Sequence, residues 1–303
     1  MKAAEERGAL SGRFGLAEVL AAPVDLIVIA APPQVTARLL GEIETSALVI
    51  DVTSVKSGLV DAGEGLAHFV ATHPMAGREV SGPDAASGSL FEGATWVIAS
   101  DGADPDDIEV VEGIVVSLGA RAVVMTAAEH DAAVARVSHL PQVVAGALML
   151  DAADSPSSLD LAAGSFRDLT RVAASDPSMW QGILAANAAE VVAAIRSLQR
   201  RLAVFEAAIM GGGSELYDVL TTAREQRESL GAAAVPVRIA LADRPGELAK
   251  VGHSLESSGV DVRDLQLRHA PYGGGGVLTI SVRAGEADAL RSALVAEGLL
   301  LID

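Results

Sequence analysis

The chain has no cysteine. Disulfides, thiol nucleophiles and cysteine-ligated zinc are therefore excluded, and a reducing compartment suits it. Positive charge is scarce as well. The only lysines are Lys2, Lys56 and Lys250, and the formal net charge of −18 leaves no basic face for a nucleic-acid backbone. An anion can still bind where arginines gather. No uncharged apolar run reaches the ~18 residues of a bilayer crossing. Residues 1–7 carry charges where a signal peptide needs an apolar core. No histidine or carboxylate cluster has metal-ligand spacing. These absences predict a cytoplasmic protein with no membrane, nucleic-acid or metal partner.

What is present falls into three zones. Residues 1–126 alternate short apolar runs (24–30, 47–50, 66–71, 95–99 and 120–125) with segments of helical length. Runs this short and apolar fit strands covered on both faces, so the zone predicts an α/β fold with a parallel sheet. Residues 127–231 lack strand signals and read as long apolar helices over 127–152 and 177–210, then 215–230. Asp176-Pro177 supplies a cap followed by Pro at the first helical position. Helices so apolar must bury more than one face, and a second copy of the chain is one way to do it. Residues 235–303 give the order βαββαβ, a ferredoxin-like unit, after a linker at 231–234.

Chemistry-bearing residues gather at the ends of the first three strands. Ala31-Pro32-Pro33 follows the first, Asp51-Val52-Thr53-Ser54-Val55-Lys56 the second, and His73-Pro74-Met75-Ala76-Gly77 the third. Open parallel sheets bind ligands at that edge. Small residues there admit a flat ring, Ser54 can hydrogen-bond near it, and His73 can take a proton. Ser54 can equally be a helix cap, and His73 a histidine bonded within its own turn. In the helical zone, Ser138-His139-Leu140-Pro141-Gln142 interrupts an apolar helix, where Pro141 frees a carbonyl and predicts a kink. A His-x-x-Gln pair there faces a cavity or a partner, or is a hydrogen-bonded buried pair. Arg167 and Arg171 stand four apart in a nearly neutral segment. Either can anchor a carboxylate, or pair with Asp168 or Asp176 at the surface.

Taken together these motifs resemble the prephenate dehydrogenase (arogenate dehydrogenase) family. The matching stretches are Asp51 to Lys56, His73-Pro-Met-Ala-Gly77-Arg-Glu79, Ser138-His139-Leu-Pro141, and Phe166-Arg-Asp-Leu-Thr170-Arg171 with Ser175-Asp176-Pro177-x-Met179-Trp180. They lie in the family's order and spacing over about residues 10–230. Asp243-Arg244-Pro245-Gly246-Glu247-Leu248 makes the tail similar to an ACT domain, a module that binds amino acids.

The resemblance implies a partial Rossmann-type sheet, an all-α dimerisation domain forming a homodimer, and a C-terminal ACT domain. It implies oxidative decarboxylation of prephenate to 4-hydroxyphenylpyruvate with NAD or NADP, NAD favoured, on the route to tyrosine. His73 would accept the hydrogen bond of the substrate's ring hydroxyl, with Ser54 between that hydroxyl and the nicotinamide. Arg171 would hold a carboxylate, His139 and Gln142 would line the pocket, and Glu79 would sit at its entrance. Ala31, Pro32, Asp51, Ser54 and Gly77 would contact the cofactor. Asp243, Pro245, Gly246 and Leu248 would bind a tyrosine or phenylalanine effector. A neutral His73 is required, so activity should rise through a pKa near ~6.5 unless the site shifts it.

The family's opening strand and its G-x-G-x-x-G turn are not found. Gly211–Gly213 follows a helix, and residues 273–276 lie in the C-terminal unit. The expectation is a chain that begins part-way through the cofactor domain. The alternative is a catalytically impaired homologue acting as an amino-acid-binding regulator. A β-hydroxyacid dehydrogenase ranks last, because its catalytic lysine belongs in the helical zone, where this chain has none.

Overall fold

The computed structural model describes residues 15, 17–18, 23–77, 86–229, 235–269 and 275–302. Contacts divide the chain into two compact units, Met1–Arg201 and Leu202–Asp303.

The first unit begins with β1 (Leu26–Ile29), α1 (Pro33–Glu42), β2 (Leu48–Asp51), α2 (Ser57–Gly63), β3 (Phe69–Val70) and β4 (Thr72–Pro74). It continues with β5 (Thr95–Ala99), α3 (Pro105–Ser117) and β6 (Arg121–Met125). Strands β1, β2 and β3 pair in parallel, as the apolar runs predict. The third run differs from expectation. It breaks at Ala71 into β3, which pairs with β2, and β4, which pairs antiparallel with β5. Strand β5 is in turn parallel to β6. The break follows from Asp51, whose carboxylate and carbonyl accept the Thr72 N–H and hydroxyl and so replace the ladder beyond Val70. The expected parallel pairing holds for β1 to β3 and for β5 with β6, the β4–β5 pair alone being antiparallel among these strands, and His73 lies inside a short strand, opposite Val97. Two apolar clusters flank the sheet. One is built on Leu40, Val49, Leu59 and Phe69, the other on Val70, Trp96, Ile98 and Val111.

The helical part follows: α4 (Ala127–Val134), a π-helical turn (Ala135–His139), α5 (Leu140–Ala153), α6 (Pro156–Asp160) and α7 (Gly164–Thr170). A 3-10 turn (Arg171–Ala174), α8 (Pro177–Ala186) and α9 (Ala188–Gly211) complete it. Thr126 and Glu129 form a capping box on α4. Asp176 caps α8 by accepting the Met179 N–H at 2.8 Å. Two expected helices are interrupted. The run over 127–152 widens into the π turn just before Pro141, where the Leu140 N–H reaches back to Ala135 O. The run over 177–210 breaks at Asn187, whose φ of −119° and ψ of 31° are not helical.

Residues Ala127–Ala153 are, by length and composition alone, long and apolar enough to span a bilayer, although no uncharged run within them reaches 18 residues. His130, Asp131 and Arg136 fall in its first three turns, and such groups are costly in hydrocarbon.

The second unit holds the end of α9, α10 (Ser214–Ser229), β7 (Val235–Leu241), α11 (Glu247–Ser258), β8 (Val262–His269), β9 (Gly276–Val282), α12 (Ala287–Ala296) and β10 (Leu300–Ile302). The strand order β10-β7-β9-β8, with every neighbour antiparallel, is that of a ferredoxin-like sheet. Ile239, Leu278, Ile280, Leu290 and Leu294 form its core. The expected linker at 231–234 lies outside the described residues.

Candidate active site

The site starts with a buried ion pair. Lys56 and Asp51 are both fully buried, and Lys56 Nζ donates to Asp51 Oδ2 and to Thr72 O. Asp51 Oδ2 also accepts the Thr53 N–H and hydroxyl, and Oδ1 accepts the Thr72 N–H. One carboxylate therefore ties the Ser54 loop to the strand that carries His73. Burial pulls the Lys56 pKa down, against the attraction of Asp51 and Asp131. Asp51 has every oxygen engaged and no exposed surface, so its expected contact with a cofactor is corrected to a structural role.

Asp131 organises the other side. Its Oδ1 accepts the Lys56 N–H and its Oδ2 the Ser57 N–H, each at 2.8 Å, so a residue of α4 caps α2. Ser54 is not that cap, and its hydroxyl has no protein partner among the described residues. His130 Nδ1 lies 2.8 Å from Asp131 Oδ1, and His130 Nε2 lies 2.8 Å from His73 Nδ1. Burial alone would raise the Asp131 pKa, but hydrogen bonds from His130, Ser57 and Lys56 outweigh it and hold the group at about 2. Burial, then electrostatic repulsion of an imidazolium by neighbouring His130, Lys56 and His139, pushes His73 down to about 3, with Asp131 opposing. The site thus holds His73 well to the acid side of its ordinary 6.5. Asn187 Nδ2 donates to Asp131 O at 2.8 Å and lies 3.2 Å from His139 Nδ1. That makes His139 Nδ1 the acceptor and places the ring hydrogen on Nε2.

A cleft of about 760 Å³ opens where these elements meet. Ala30 to Gln34 line it after β1, Val52 to Ser54 after β2, His73 and Pro74 on β4, and Ala76 just after it. Ser178, Met179, Gly182 and Ile183 of α8 close it from the helical side. Gln34 Nε2 donates to Gly182 O at 3.2 Å and links α1 to α8.

The cleft thus collects Ala31, Pro32, Ser54 and His73 as expected. Gly77 is exposed and does not line it. His139 is buried behind it, 6.1 Å from the Trp180 ring, rather than lining it. Gln142 is half-buried on α5, its Oε1 without a partner among the described residues. Arg171 is exposed on the 3-10 turn, outside the lining and seven residues before Ser178. Glu79 lies outside the described residues. Sequence reasoning missed His130, Asp131 and Asn187. The one available signal was a His-Asp pair inside an apolar helix, where polar groups need partners.

A cleft at the carboxyl ends of β1 and β2, walled on the far side by helices, is where open α/β folds of the nucleotide-binding class take their ligands. Residues 1–124 match the prephenate dehydrogenase nucleotide-binding domain, and residues 126–222 match the prephenate dehydrogenase dimerisation domain. The chain belongs to the prephenate dehydrogenase family. It is 32% identical over 305 residues to the probable prephenate dehydrogenase NovF of Streptomyces niveus, covering 91% of this chain and 84% of that one. It is 32% identical over 213 residues to a prephenate dehydrogenase of Lactococcus lactis, which is 66% of this chain but 58% of that protein. The crystal structure of Aquifex aeolicus prephenate dehydrogenase with hydroxyphenyl propionate and NAD+ superposes with a TM-score of 0.70. It is 28% identical, and the match covers 75% of this chain and 84% of that one.

Proposed function

We propose that this chain oxidatively decarboxylates prephenate, with NAD or NADP as hydride acceptor, and works as a cytoplasmic homodimer. The observation that carries this reading is a neutral imidazole, His73, lining one cleft with Ser54, whose hydroxyl has no partner among the described residues. The cleft volume of about 760 Å³ is within the usual range for small-molecule sites, and the small residues Ala31 and Pro32 suit close approach of a flat ring. A nicotinamide bound there would supply the hydride acceptor. Ala31, Pro32 and Ser54 would hold it. His73 accepts the proton of the ring hydroxyl while the carbonyl develops, and such assistance is worth about 10²–10⁴ in rate. Ser54 orients that hydroxyl. Arg171, at the approach to α8, binds a substrate carboxylate, with His139 and Gln142 supporting the helical wall and Glu79 at the entrance. Exposed Leu148, Leu150, Leu161 and Leu169 leave apolar surface on the helical part that a second copy would cover.

The functional division in this reading is 1–126 for the cofactor, 127–231 for substrate and dimerisation, and 235–303 for regulation. In the C-terminal unit a cavity of about 240 Å³ is lined by Asp243, Pro245, Gly246, Leu248 and Gly275. Gly275 has φ +124°, and a Cβ there would stand 2.3 Å from Leu241 O, so only glycine keeps this cavity's wall. An ACT-type amino-acid site, for tyrosine or phenylalanine, fits it. The test is NADH or NADPH formation from prephenate and from arogenate, by this chain and its His73→Asn variant. The expected result is turnover by the parent, with kcat strongly reduced and KM kept in the variant. No turnover with either substrate, together with tyrosine binding, would instead favour a regulator.

A further inference from the structure

The hydrogen bonds behind His73 determine where its ring hydrogen sits. Asp131 accepts two backbone N–H groups, from Lys56 and Ser57, and its carboxylate is ionised. An ionised carboxylate can only accept. His130 Nδ1, 2.8 Å from Asp131 Oδ1, must therefore carry a hydrogen. In the neutral form of His130, which has one N–H, Nε2 then presents a lone pair. That lone pair meets His73 Nδ1 at 2.8 Å, which makes His73 Nδ1 the donor. The ring centroids lie 5.1 Å apart, the separation an in-plane N–H···N bond at 2.8 Å gives, with the ring planes at 77°. His130 is 1% exposed and Asp131 4%, so no solvent competes for these bonds.

We propose that His130, held by Asp131, is a positioning residue that locks His73 in the Nδ1–H tautomer and turns the Nε2 lone pair towards the cleft. The free imidazole would divide between two tautomers, and only one can accept a substrate hydroxyl through Nε2. The arrangement is the same in logic as a carboxylate that orients a catalytic base, with a second imidazole interposed. The catalytic consequence rests on the proposed reading of His73 as proton acceptor, but the tautomer itself does not.

The experiment is long-range ¹H–¹⁵N correlation spectroscopy on the ¹⁵N-labelled full chain, which distinguishes a protonated ring nitrogen from one with a lone pair. The His73→Asn spectrum identifies the His73 signals. His73 should appear with hydrogen on Nδ1. In His130→Leu the signal should shift to a tautomer mixture or to Nε2–H, and kcat should fall by on the order of 10² with KM little changed. His130→Gln offers a carbonyl to the His73 Nδ1–H and should restore most of the tautomer and part of kcat. Hydrogen on Nε2 in the parent chain overturns the proposal without any variant, as would follow from a doubly protonated His130 donating to His73. An unchanged tautomer in His130→Leu also overturns it. Nδ1–H in a chain that fails to oxidise prephenate would leave this lock standing and remove the functional reading instead.

Discussion

Replacing Lys56 with methionine removes one charge of the Asp51–Lys56 pair and keeps most of the side-chain volume. Both partners are fully buried, so the stranded Asp51 has no solvent to turn to. Breaking such a pair from one side costs about 3–5 kcal/mol. Asp51 retains the Thr53 N–H, the Thr53 hydroxyl and the Thr72 N–H, which argues for the lower end. Loss of the Lys56 donor to Thr72 O pulls the other way. The expected destabilisation is therefore about 3 kcal/mol, a large share of the roughly 5–15 kcal/mol that holds a typical domain. Urea unfolding at fixed protein concentration measures it. The only two tryptophans, Trp96 and Trp180, both lie in the first unit, so their fluorescence reports that unit alone. In the same variant His73 loses a positive neighbour, and its pKa should rise. A change in unfolding free energy under about 0.5 kcal/mol, the range of ordinary surface substitutions, would refute the clamp.

Stability should also fall on the acid side. The His73 pKa is about 3 in the fold against an ordinary 6.5, so between those values the unfolded chain binds the extra proton and unfolding becomes easier as pH drops. Asp131 adds a further loss between 3.8 and about 2. Tryptophan-monitored stability that stays flat from pH 6.5 to about 4 would contradict this. Arg171→Gln should raise KM for prephenate about 10–100-fold with little effect on kcat, the loss of a charge-assisted hydrogen bond, and steady-state kinetics reads the split. Millimolar tyrosine or phenylalanine should raise the melting temperature of the C-terminal unit. Gly275→Ala, whose Cβ would clash with Leu241 O, should abolish that shift, and an equal shift in both chains would speak against this cavity as the effector site.

The parts of the fold legible in the sequence are those set by neighbours along the chain. The Asp176-Pro177 cap, the apolar runs of β1, β2, β5 and β6, and the βαββαβ order of the tail all follow from local pattern. The Ser54 loop and His73 were legible because strand ends in such sheets share an edge. The rest depends on pairs far apart in sequence. Asp51 redirects the chain at Thr72, Asp131 caps α2 from 74 residues away, and His130 meets His73 across 57. No periodicity encodes those contacts. Asp51 misled for that reason. It has the position of a cofactor ligand, and only the buried Lys56 and the two backbone N–H groups around it reveal that it is already saturated. Asn187 broke an otherwise continuous helical pattern for a similar reason, since its side chain is committed to Asp131 O and His139.

The central claim is that a neutral His73 receives the hydroxyl proton, and the pH profile of kcat for prephenate oxidation tests it most directly. With the His73 pKa lowered from 6.5 to about 3, the rate should hold level through pH 6.5 and decline only as the protein approaches acid unfolding. A well-defined limb centred near 6.5 in the parent chain, with the protein still folded, would contradict the account.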